Sequence, residues 1–225
     1  MFIDKIQTDI QMKIVNTLKL MLSSLIIILL TILQVHAAPA FQFPSSSPTE
    51  ISLGGTDGFI FTANVNMDVT ALGYYDHNQD GLSLSHDIAI YDYDTETLLA
   101  SATADSSSFL DGLFRYTSLA SPLSLQAGIT YVVAGYHPGS GTTSLDLAAT
   151  PSASSVTFSS DITYGGYVFD YNPSLTFPTS TLTTDLEYTF FGPNFQYTTA
   201  VPEPASLALL TLGLAGIGLS RRRKA

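Results

Sequence analysis

Residues 65–72 read Val65-Asn66-Met67-Asp68-Val69-Thr70-Ala71-Leu72, with Val65, Met67, Val69 and Ala71 alternating with their neighbours. A two-residue period puts successive side chains on opposite faces of an extended chain, so this stretch predicts a half-buried strand and not a helix. Similar short runs recur outward from it, at Ile88–Tyr91, Leu98–Ala104, Leu113–Thr117, Ile129–Tyr136, Tyr164–Tyr171 and Leu186–Phe191, bounded by Gly, Pro, Asp, Asn or Ser. No convincing amphipathic helix separates them. Short strands at close spacing predict an all-β fold, a single antiparallel β-sandwich or jelly-roll-like domain over residues 58–200. Pro138-Gly139-Ser140-Gly141 fits one of its turns. Phe41–Thr49, rich in Pro and Ser, belongs to what composition reads as a flexible lead-in over residues 38–57.

The 225 residues suffice for one ordinary domain with terminal appendages. Cysteine is absent, which excludes disulfide scaffolds, thiolate nucleophiles and Cys-based metal centres. The formal charge of −11 hides a division along the chain. Between Ala38 and Ala200 sixteen acids face a single base, Arg115, a net of −15. A body this acidic repels nucleic acid and anionic lipid and favours cations or neutral partners such as polysaccharide.

The bases cluster at the two ends. Lys13 and Lys19 precede an apolar run, Leu20–Val35, that exits through His36-Ala37-Ala38-Pro39-Ala40. Basic flank, apolar centre and small-residue exit read as a secretory signal peptide over residues 1–37, handled by the secretion machinery and signal peptidase. Asp4 and Asp9 are foreign to such a flank, so translation is expected to start at Met12. Cleavage after Ala37 places Val35 and Ala37 in the small-residue positions, and cleavage after Ala40 places Ala38 and Ala40 there. Both fit, whereas a cut after Ala38 would leave Pro39 next and is disfavoured.

A second apolar run spans Ala205–Ser220 and is followed at once by Arg221, Arg222, Arg223 and Lys224. As a helix it rises roughly 24 Å, against about 30 Å of bilayer hydrocarbon, so it would cross only with local thinning or snorkelling. The basic tail 221–225 would remain cytoplasmic, leaving the body outside the inner membrane. Val201-Pro202-Glu203-Pro204, then this Ala/Leu/Gly-rich segment, then the arginines closely resemble the PEP-CTERM sorting signal over residues 201–225. That resemblance implies an exosortase-type membrane enzyme as partner, a transient membrane anchor in a Gram-negative-type bacterium, and delivery to a cell surface rich in exopolysaccharide. The two prolines around Glu203 also bar a helix interior and so present an extended segment to a protease.

The body resembles an uncharacterised β-sandwich domain found in many PEP-CTERM proteins, through Asp80–Asp92, Thr97–Ala102, Pro122–Val133 and the closing Phe191–Phe195. The resemblance implies a fold and is silent on chemistry.

One stretch carries possible ligand chemistry. Asp76, Asn78 and Asp80, then Gly81, Leu82 and Asp87, reproduce much of the calcium-loop spacing, with oxygens at alternate positions, Leu82 offering its carbonyl and Asp87 in the closing place. Asp87 is shorter than the usual Glu, and a polar turn accounts for the same residues. The cofactor expectation is therefore none, or a structural Ca²⁺. His77, His86 and His137 form no zinc-binding motif, and Gly139-Ser140-Gly141 is no nucleophile elbow. Asp92 and Asp94 share one strand face about 7 Å apart, a spacing too ordinary to indicate glycoside hydrolysis. The expected function is non-enzymatic: an exported surface or extracellular-matrix protein associated with exopolysaccharide. The alternative is a carbohydrate-binding module using faces among Tyr91, Tyr93, Tyr136, Tyr164, Tyr167 and Tyr171.

Overall fold

The computed structural model describes residues 6–7, 10–18, 37–43, 48–51, 54–138, 146–150, 156–182 and 189–199. The apolar runs at 20–35 and 205–220, the Val201–Pro204 box and Arg221–Arg223 lie outside those residues. The chain divides into two compact units, Met1–His36 and Ala37–Ala225. In the first, residues 10–18 are helical. Among the described residues no helix is long and apolar enough to cross a membrane.

The second unit is built of antiparallel strands. In chain order they are β1 (Ala38–Pro39), β2 (Phe41–Gln42), β3 (Thr49–Ile51), β4 (Gly55–Ala63), β5 (Met67–Tyr75), β6 (His86–Asp92), β7 (Leu98–Ala104) and β8 (Phe109–Asp111). There follow β9 (Phe114–Leu125), β10 (Thr130–His137), β11 (Leu147–Thr150), β12 (Thr157–Phe158), β13 (Ile162–Asp170), β14 (Ser180–Leu182), β15 (Thr189–Phe191) and β16 (Pro193–Thr199). One sheet has the order β1-β16-β5-β9-β8 and a second the order β14-β13-β4-β10-β6-β7. A small β15-β11-β3 sheet and a β12-β2 pair complete the set. The architecture is all-β and sandwich-like, as the alternating pattern predicts.

The main core draws on both large sheets, with Val69, Leu72 and Phe195 from one and Phe59, Phe61, Ile88, Ile90 and Val133 from the other. Phe41 is its aromatic hub. Its ring centroid lies 5.0 to 5.6 Å from those of Phe43, Phe59, Phe114, Phe158 and Phe191. Full burial of a side chain of this size stabilises by roughly 1.5–3 kcal/mol, before the added value of edge-on ring contacts.

That hub lies inside the segment whose composition reads as a flexible lead-in, and here the structure differs from the expectation. Ala38–Pro39 pairs with β16, Phe41–Gln42 with β12 and Thr49–Ile51 with β11. Ala40 is fully buried, donating its amide to the Phe195 carbonyl at 2.8 Å and accepting from the Ser159 amide at 2.9 Å. The Pro/Ser composition is real, but it is interrupted by Ala40 and Phe41, and one Phe in a closed core outweighs a local preference for coil.

The opening stretch differs in one respect. The strand begins at Met67, and its register shifts between Val69 and Ala71 opposite β9 and between Gln196 and Tyr197 opposite β16. A bulge breaks the two-residue period. Beyond it Ala71, Leu72, Gly73, Tyr74 and Tyr75 are all buried, so Leu72, out of phase with Ala71 in the sequence, is core as well. Leu186–Phe191 is a strand only at Thr189–Phe191 among its described residues.

Candidate functional site

The loop after β5 contains the calcium-like spacing, and its carboxylates have other partners. Asp76 is buried, and its Oδ2 accepts from Arg115 Nε at 2.6 Å. Its carboxylate also receives the Gly81 amide at 3.2 Å, where a positive φ of 113° suits glycine alone. Arg115, on β9, reaches on to the Ser108 carbonyl. The one base of the acidic body thus occupies the carboxylate that a cation would need. Asn78 and Asp80 are exposed, Leu82 is buried in the core, and Asp87 accepts from Thr103 Oγ1 on β7 at 2.6 Å. Among the described residues no group of three or more His, Asp or Glu side chains is placed to hold a metal ion.

Behind that loop the structure assembles a buried polar chain that no sequence motif announces. Asp146 Oδ2 accepts from Ser83 Oγ at 2.6 Å and from the Ser83 amide at 3.0 Å, and lies 2.9 Å from His86 Nε2. His86 Nδ1 lies 3.1 Å from the Tyr136 carbonyl. Burial pushes the Asp146 carboxyl upward, but the hydrogen bonds from His86 and Ser83 outweigh it and hold the group below the usual range. A Ser, a His and an Asp thus meet at one carboxylate oxygen. The serine hydroxyl serves the carboxylate, and both imidazole nitrogens are already engaged. His86 anchors the loop ahead of β6.

Tyr74 continues the chain. Its ring stacks on His86 with centroids 3.9 Å apart, and its hydroxyl donates to Asp57 Oδ1 at 3.1 Å. The niche is cut by Gly135 and Gly192, where any Cβ would collide with the Tyr74 ring. Asp57 is 5% exposed, and among the described residues its Oδ2 has no hydrogen-bond partner. Burial raises its carboxyl to about 7, against partial opposition from Tyr74 and the Gly192 backbone.

Asp57 lines a pit of about 70 Å³ together with Gly55, Tyr167, Phe169, Asp170, Tyr171 and Phe190. A second, larger depression of about 320 Å³ runs between the β6–β7 hairpin and the segment before β14. It presents Tyr93 and Phe177 beside Asp94, Glu96, Thr179 and Thr181. Asp92, which sequence spacing pairs with Asp94, instead caps the hairpin by accepting from the Thr95 amide and hydroxyl, both at 2.8 Å. Tyr91, Tyr164 and Tyr167 are wholly or largely inside, whereas Tyr93 and Tyr171 are exposed. Of the residues named for signal cleavage, Ala38 and Ala40 lie within the folded body, and Ala37 is its first residue.

The comparisons with known proteins bear on both ends of this description. A family model described as a domain of unknown function (DUF4082) matches residues 41–190, starting at the aromatic hub. The PEP-CTERM protein-sorting motif matches residues 200–224. No curated protein matches. One similar solved chain is that of the "Crystal structure of infectious bursal disease virus VP2 subviral particle", at 13% identity, covering 80% of this chain and 48% of that one, with a TM-score of 0.18. This chain therefore spans about half the length of that relative. A likeness at that score carries no structural argument.

Proposed function

The chain belongs to the DUF4082 domain family and ends in a PEP-CTERM motif, and from that premise we propose a non-enzymatic protein of the cell surface or extracellular matrix, associated with extracellular polysaccharide. The sorting motif marks an exported bacterial protein processed by an exosortase-type membrane enzyme. In this reading the apolar runs at 20–35 and 205–220, as a signal peptide and a sorting-tail anchor, would supply the two membrane encounters this route needs. Once released, the acidic body stays soluble and avoids anionic surfaces. The polar chain from Asp146 to Asp57 is structural in this reading, with the Ser83 hydroxyl donating to the Asp146 carboxylate.

A second reading, a carbohydrate-binding module, is favoured by the depression at Tyr93. Its size suits one or two sugar rings, its two aromatic side chains offer apolar faces to ring C–H groups, and its carboxylates and hydroxyls accept or donate to sugar hydroxyls. Mass spectrometry of native protein from washed cells, membranes and medium tests the first reading. An intact C-terminus in the inner membrane would sink it. Affinity electrophoresis in gels containing the native polysaccharide tests the second, which requires that the Tyr93→Ala/Phe177→Ala double variant lose its retardation.

A further inference from the structure

Between β13 and β14 the chain runs Tyr171-Asn172-Pro173-Ser174-Leu175-Thr176-Phe177-Pro178-Thr179 with neither helix nor strand. Pro173 and Pro178 cannot donate to a ladder, so the segment lies over the six-stranded sheet instead of extending it. The face beneath it is unusual. An antiparallel sheet that covers a core with one face ordinarily turns polar residues outward on the other. Here Ile60, Ala89, Tyr91, Val132, Ala134 and Val168 form a second apolar cluster, separate from the main core and at most 7% exposed, and Leu175 and Phe177 pack against it. Register sets Val168 opposite Gly58, Gly58 opposite Ala134 and Ala134 opposite Ala89, a row across four strands that its small residues make into a shallow trough. In the next row Tyr91 meets Phe177 edge-on, with centroids 5.6 Å apart.

This cover is lightly held. Thr56 Oγ1 donates to the Ser174 carbonyl and Thr179 Oγ1 to Asp170 Oδ2, both at 3.3 Å, and Asn172 Nδ2 donates to Thr176 Oγ1 at 3.1 Å within the segment. Tyr171 to Ser174 and Thr179 are exposed, Leu175 and Phe177 are half-buried, and of the nine residues only Pro178 is buried. Ordering such a stretch costs chain entropy that two half-buried side chains return only in part, and segments of this kind open well below the free energy of global unfolding. The other face of the same sheet is closed by a whole second sheet. The depression at Tyr93 is the mouth of the covered interface, because Val168 and Phe177 belong both to its lining and to the outer cluster. Phe177, Pro178 and Thr179 make one of its walls, and the β6–β7 hairpin with Tyr93 makes the other.

We propose that residues 171–179 are a strap that opens independently of the sandwich, and that its opening extends the Tyr93 depression into the trough along Val168, Gly58, Ala134 and Ala89. Closed, the strap supplies the Phe177 wall of the depression. Open, it removes that wall and uncovers the outer cluster. The consequence for sugar binding rests on the carbohydrate-binding reading, and the opening itself does not.

The absence of cysteine makes the test direct. Val133 and Ala134 are neighbours on β10, both fully buried, the first in the main core and the second in the outer cluster. Single Val133→Cys and Ala134→Cys variants of the full-length chain are labelled with a thiol reagent under native conditions. Ala134→Cys should react at least about tenfold faster than Val133→Cys, with a rate that barely responds to low urea. Adding Phe177→Ala should speed Ala134→Cys several-fold and leave Val133→Cys within about twofold. Equal rates for the two cysteines, both rising with urea as global unfolding does, would overturn the proposal. So would a Phe177→Ala change that speeds both alike. The expected contrast in a chain that no native polysaccharide retards would support the strap and count against the carbohydrate-binding reading alone.

Discussion

Ala38 sits opposite Tyr197 across the antiparallel β1–β16 pair, so the first strand of the body and the last one end side by side. Adjacent strands lie about 4.8 Å apart, and the chain enters and leaves the domain at the same end of one strand pair. The two described ends of the body, Ala37 and Thr199, therefore lie beside one strand pair. Closing this pair joins residues about 160 positions apart, a contact that forms only once the whole body is available.

Removal of Ala38–Ala40 should be costly. The β1 pairing, the Ala40 amide bond to Phe195 and the Ser159 amide bond to Ala40 would all go. At about 1 kcal/mol for each hydrogen bond, a chain beginning at Phe41 should be roughly 2–3 kcal/mol less stable than one beginning at Ala38, measured by urea unfolding. Native protein sequenced from its N-terminus should accordingly begin at Ala38. A mature terminus at Phe41 would show that β1 is dispensable.

Arg115→Met should destabilise by about 3 kcal/mol, because Asp76 would be left buried without its cation. Adding Asp76→Asn should restore part of the loss, and the double-mutant cycle reads the coupling directly. An effect below about 0.5 kcal/mol would mean that the pair is no more than a surface contact.

Calcium should not be needed by the loop at 76–87. With Arg115 on Asp76 and Thr103 on Asp87, neither end of the loop is set up to receive the ion. Melting temperatures in EDTA and in millimolar CaCl2 should agree within a degree or two. A clear rise with calcium, abolished by Asp80→Asn, would restore the reading based on spacing alone.

Asp57 gives the pH dependence a definite sign. Its carboxyl is raised from 3.8 to about 7, so the folded protein holds the proton more tightly than the unfolded chain. Its contribution is fully present below about pH 3.8, declines as pH rises and is gone above about 7, a swing of about 4 kcal/mol at most. Asp146 works in the opposite sense, its contribution being lost as pH falls. Asp57→Asn should therefore stabilise at pH 8 relative to the natural protein and lose that advantage near pH 4. A difference independent of pH would place the Asp57 titration at its ordinary value.

Much of the fold was legible because strand signals are local. Leu98–Ala104 coincides with β7, and the other runs overlap strands wherever they are described. The failures also have local causes. Residues 38–51 look like coil because their strands are two or three residues long, too short for a period to show, and are held by partners far along the chain. The ion pair at the head of the calcium-like spacing was not legible because Arg115, thirty-nine positions from Asp76, is invisible to any motif confined to twelve residues.

The sequence by itself determined the export and sorting class, since a Pro-Glu-Pro box, an apolar run and a basic end act as linear signals read before or apart from folding. It also determined an all-β body without cysteine chemistry. Only the tertiary structure decided what the polar residues do. Ser83 and His86 converge on Asp146, and Tyr74 donates to Asp57 beside an aromatic pit, because sheets bring together side chains from β4, β5, β6 and β13 that no linear spacing relates. Burial and partnership set the charge state of a carboxyl group, and both are properties of neighbours in space.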